Sequence, residues 1–75
     1  MFFKRKYRVK IKDLREIQKA RDLDSSLVHP SDWILNNRGE EFLVTKNVSG
    51  PHNRHVYICC DLNRSFYVEF AEIIK

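Results

Sequence analysis

The residues able to do chemistry fall into two groups. The first is His52, His55, Cys59 and Cys60, side chains of the kind that hold zinc. Zinc sites usually draw on two ligand pairs, each held by a tight turn. Here the cysteines are adjacent in an apolar run, so on a strand they point to opposite faces. Only one can join the histidines, which leaves three ligands from one hairpin. The spacing argues against a metal, and no cofactor is expected. Opposite facing also keeps the two thiols from bonding each other. Without a disulfide framework they read as reduced, which predicts an intracellular, cytoplasmic protein.

The same hairpin holds the parts of a small nuclease. His52 or His55 would be the general base, Arg54 or Arg64 would hold a phosphate, and a tyrosine would stand nearby. These residues are expected at opposite ends of the Val56–Cys60 strand, which rises about 3.3 Å per residue. Convergence on one phosphate is not expected. Asp61, Glu40 and Glu41 form no recognisable carboxylate pair, and there is no glycine-rich phosphate loop or activated serine. No residue is assigned a catalytic role.

The second group is cationic. Residues 4–12, KRKYRVKIK, contain Lys4, Arg5, Lys6, Arg8, Lys10 and Lys12 and no acid. These are six of the fourteen basic residues; the rest of the chain has eight basic and ten acidic residues, so the net charge of +4 is local. From Lys6 the pattern alternates strictly, with Tyr7, Val9 and Ile11 on the other side, as a strand with one buried and one wet face requires. One reading of the stripe is edge protection, because lysines on an edge strand block sheet-to-sheet association. The other is contact with phosphates, where each contact releases counterions and makes binding salt-dependent. Tyr57 and Tyr67 are expected on neighbouring strands, opposite in parity to Val56, Ile58, Phe66 and Val68. They would either be stacking platforms on the outer sheet face, as Tyr7 would be if it faces out, or cap a second small core under the helix at 13–23. A nucleic-acid partner, RNA ahead of DNA, follows from exposed aromatics beside a basic groove and from the lack of a major-groove recognition helix.

The competing partner is a protein. Phe2, Phe3 and Trp33 are the apolar anchors available to it. Trp33 is also a natural core plug, and Phe2 and Phe3 would equally seal a homodimer or fold back on the domain. The two classes separate by experiment: nucleic-acid binding is steeply salt-dependent and a protein interface less so.

These residues must be positioned by a small sheet. Asp13 caps a helix predicted over 13–23, with Glu16 three residues on. Leu14, Ile17 and Arg21 share its inner side, with Ala20 and Leu23 beside them. Ser31 or Asp32 caps a short helical turn carrying Trp33, Ile34 and Leu35, and Asn36–Gly39 is a turn. Strands are predicted over 41–48, 55–60 and 65–70, with a brief turn at 71–72 and a short terminal strand over 73–75. Phe42 and Val44 are expected inside.

In this order of elements the chain resembles a small SH3-like β-barrel. KYRVKIKDL, RGEEFLVTKNV and SFYVEFAEIIK carry the resemblance. It implies a first strand, a long connection, a three-stranded meander, and a short helical turn before a terminal strand. The helix at 13–23 is longer than that connection usually holds, so the expected class is mostly β (α+β), about five strands with one helix in the first long connection. Length, basic N-terminus and meander are also similar to small accessory proteins of bacteriophages. That likeness implies a viral protein in the host cytoplasm, with a host nucleic-acid-processing enzyme as the alternative partner it would inhibit.

Size sets the remaining bounds. With 75 residues the chain reads as a single domain, 1–75, and buries only about 60–65% of its unfolded surface. Nine aromatic residues argue for an ordered core. MFFKRK is not followed by the apolar run of a signal peptide, and no stretch approaches the roughly 20 apolar residues of a span, so no membrane is expected.

Overall fold

The alternating run near the N-terminus forms β1, Lys6–Ile11. In this computed structural model, which describes residues 5–50 and 53–75, Val9 and Ile11 are buried while Lys6 and Arg8 are exposed. Asp13 ends the strand and starts α1, Leu14–Leu23. Its carboxylate accepts a hydrogen bond from the Glu16 N–H at 2.9 Å, satisfying one of the donors that every helix start leaves free. The shorter α2, Asp32–Asn36, is capped by Ser31, whose Oγ accepts from the Ile34 N–H at 3.3 Å. Gly39 then turns the chain at φ +82°, a conformation that suits a residue without Cβ. Its N–H donates to the Ile11 carbonyl at 2.8 Å, which ties the turn back to β1.

Four strands follow: β2, Glu41–Ser49; β3, Arg54–Cys59; β4, Ser65–Tyr67; and β5, Ala71–Ile73. All pairings are antiparallel, in the order β4-β3-β2-β1-β5. The sheet curls into a half-barrel, and the molecule is a small, mostly β (α+β) barrel with one long helix in its first long connection, as the pattern predicts. Val9, Ile11, Val44, Tyr57, Cys59, Phe66, Phe70 and Ala71 line its core, and Ile17, Leu27 and Ile34 fill it from the connection. Among the described residues no helix is long and apolar enough to cross a membrane.

Two local expectations are corrected. The predicted strand over 65–70 stops at Tyr67, and Val68–Phe70 is a 3-10 turn. β4 and β5 lie at opposite ends of the strand order, so the chain must cross from one edge to the other between Tyr67 and Ala71. The turn makes that corner and still buries Phe70, and the terminal strand begins at Ala71, not at residue 73. In α1 the buried stripe is narrower than predicted. Ile17 is buried with Ala20 and Arg21 half-buried beside it, whereas Leu14 and Leu23 are 51% and 82% exposed.

Candidate functional site

Lys6, Arg8 and Lys10 alternate along β1 and so share its outer face. They stand about 6.7 Å apart, two residues of strand rise. The cross-strand register sets their neighbours: Lys6 opposes Thr45, Arg8 opposes Leu43 and Lys10 opposes Glu41. On the far side Lys10 opposes Glu72 of β5, with an Nζ–Oε1 distance of 3.9 Å. The acids therefore gather at the Lys10 end. Lys6 and Arg8 are exposed and have no ion-pair partner among the described residues. Lys46 is also exposed at this end of the sheet, but its register with Tyr57 places it on the opposite face from the row.

β1 is not an edge strand. It pairs with β2 over Lys6–Lys10 and with β5 over Val9–Ile11; Lys6, Tyr7 and Arg8 run past the end of β5, Arg8 only accepting at its carbonyl from the Ile74 N–H at 2.9 Å. Edge protection thus accounts for the start of the stripe and not for its length. Two of the six cations stand apart from this row. Lys12 follows the strand, its N–H bound to the Phe70 carbonyl at 2.9 Å. It lines a cleft of about 620 Å³ with Lys10, Arg38, Asp13, Glu16 and Glu72, where charges of both signs balance. Arg5 lies with its guanidinium 5.6 Å from the centre of the Tyr7 ring. Lys4, Phe2 and Phe3 lie outside the described residues.

The aromatic expectations need correction. β3 and β4 register Tyr57 against Phe66 and Val56 against Tyr67, so Tyr57 and Tyr67 face opposite sides of the sheet. Tyr57 is 5% exposed, packed edge-on against Phe66 at 6.1 Å. Burial pushes its hydroxyl pKa up. It is a core residue and no stacking platform. Tyr67 is half-buried under the Arg54 guanidinium, 5.5 Å from its ring centre, and β4 lies three strands, about 14 Å, from β1. Trp33 closes the barrel against Phe42 at 5.3 Å and Phe66 at 6.2 Å, with Arg64 over it at 5.4 Å. It is placed as a core lid.

The nuclease parts converge further than predicted. Arg54, His55, Tyr67 and Glu69 line one cleft of about 580 Å³. Arg54 is engaged there. Its Nη1 lies 2.9 Å from Asp24 Oδ2 and 3.7 Å from Glu69 Oε1, and its Nη2 donates to Ser26 Oγ. A phosphate would have to displace two carboxylates to reach it. Arg64 lies at the other end of β3, its carbonyl accepting from the Cys59 N–H at 3.0 Å. Cys59 is buried and Cys60 exposed, on opposite faces. Among the described residues no three His, Cys, Asp or Glu side chains are grouped to hold a metal; His52 lies outside them. No family model matches the chain, and no curated protein or solved structure matches it significantly.

Proposed function

We propose that this chain is a non-catalytic binding module that takes the phosphate backbone of a nucleic acid across the outer face of β1. One observation supports the reading most: Lys6 and Arg8 stand exposed and without ion-pair partners among the described residues, side by side on one face of a strand that β2 holds in register. Beside them Leu43 and Thr45 are uncharged and half-buried, so nothing acidic at that end repels a polyanion. Each phosphate contact releases condensed counterions, which makes the affinity salt-dependent. Of the two grounds for RNA over DNA, exposed aromatics and the lack of a major-groove recognition helix, the first is weakened because Tyr57 is buried and Tyr67 lies under Arg54, so the proposal does not choose between the polymers. The reading of a module that occupies a host protein through Trp33, Phe2 and Phe3 has less support, because the Trp33 ring packs on Phe42 and Phe66 beneath Arg64.

Electrophoretic mobility of labelled nucleic acid at low and high salt, with wild type beside a Lys6→Gln/Arg8→Gln variant, tests the proposal. Micromolar or tighter binding is expected for the wild type, weakening steeply with salt and reduced at least tenfold in the variant. Binding that is equal in the two proteins would contradict it.

A further inference from the structure

We infer that the nucleic acid taken by this face is a duplex, held by its backbone, and not an unstacked single strand; the inference rests on the backbone-binding reading above. Proteins that hold single strands combine a cationic groove with aromatic platforms on which successive bases stack. Among the described residues this face has the cations without platforms beside them; Tyr67, which shares the face by register, lies three strands away under Arg54. The side chains beside the row are Leu43, Thr45 and, one strand further, Ile58, all half-buried and none aromatic. Elsewhere among the described residues the partly exposed aromatic rings are already covered. Arg5 lies over Tyr7, Arg54 over Tyr67 and Arg64 over Trp33, and Phe42 packs against Trp33. Tyr57, Phe66 and Phe70 are buried. A base leaving its own stack would find no open ring beside the row among the described residues.

A duplex requires no such ring. It presents about one phosphate charge per 1.7 Å of axis, and contacts to phosphates position a protein without reading sequence. The β1 row suits that task because the sheet holds its backbone in place, so the cation spacing exists before binding. Lys10 supplies a third contact. Its pairing with Glu72 is long, at 3.9 Å, and exposed on both sides, so a phosphate can take the carboxylate's place. DNA and RNA duplexes share this chemistry.

Fluorescence anisotropy with a labelled DNA duplex of about 20 base pairs, the matching RNA duplex and the separated strands tests the inference, at about 50 mM and about 200 mM salt. At least one duplex is expected to bind tighter than its strands, and the one that does names the sugar. Three phosphate contacts correspond to a log–log salt slope of about −2.7 and a roughly fortyfold loss of affinity between those two salts. Lys6→Gln and Arg8→Gln should each flatten the slope by about 0.9, with an unchanged urea midpoint showing that the fold is intact. Emission from Trp33, the only tryptophan, should not be quenched on binding, because no base stacks on it. Single strands that bind as tightly as the duplexes, or tighter, would overturn the inference and leave the backbone reading standing. No binding to any of the four probes at the lower salt would overturn the backbone reading itself.

Discussion

Arg54 links three parts of the chain that are distant in sequence. From the start of β3 it reaches Asp24 and Ser26 after α1 and Glu69 in the 3-10 turn, and it lies over Tyr67. Hydrogen bonds from Ser26 and from Arg54 hold the Asp24 carboxyl below its ordinary range, and the Asp24 hydrogen bond raises the Arg54 guanidinium in turn. A lowered carboxyl contributes stability that is complete above the unfolded-chain pKa and is lost as the pH falls through the folded one. Asp24→Asn should therefore lower the urea midpoint at neutral pH. The gap from wild type should close as the pH falls from about 4 downward. A gap independent of pH would show that the Asp24 charge does not act through this contact. None of these partners was legible in the sequence, because residues 24, 54 and 69 carry no local pattern that joins them. The facing of Tyr57 was illegible for a related reason. Val56, Tyr57, Ile58 and Cys59 are all apolar, so the run has no alternation to show which side is inward. The register with β4 decides it.

At the scale of elements, what was legible is what local chemistry controls. Asp13 and Ser31 mark the two helix starts because their side chains bond donors only three residues away. Strict alternation marked β1 because its two faces meet different surroundings. The end of β4 was missed because Phe66, Val68 and Phe70 alternate like a strand, while the corner after Tyr67 is required by the strand order, which is not a local property. The narrow inner stripe of α1 has a measurable consequence. Ile17 is fully buried in the core while Leu14 is half exposed, so Ile17→Ala should cost about 2–5 kcal/mol in a urea titration. Leu14→Ala should cost well under half of that, since an exposed site leaves no cavity. Equal losses would mean that α1 is seated through its first turn as well, contrary to the observed burial.

Across the whole molecule the charges separate. The basic row lies on the outer face of β1, the acids near it collect around Lys10, and at the start of β3 Arg54 is held between the carboxylates of Asp24 and Glu69. The row itself was legible, since KRKYRVKIK contains no acid and alternates. The pairing of its Lys10 end with β5 was not, because β5 returns to β1 from the far end of the chain. With Tyr57 buried and Tyr67 under Arg54, the proposed nucleic-acid reading rests on contacts with phosphate. An NMR titration of ¹⁵N-labelled protein with a short duplex tests the location of this face most directly. Shifts are expected at Lys6, Arg8 and Lys10 and across the ladder at Leu43 and Thr45, with Asp24, Ser26 and Arg64 unmoved. Shifts centred on the Arg54 cleft or on Trp33 and Arg64, or no shifts at low salt, would contradict it.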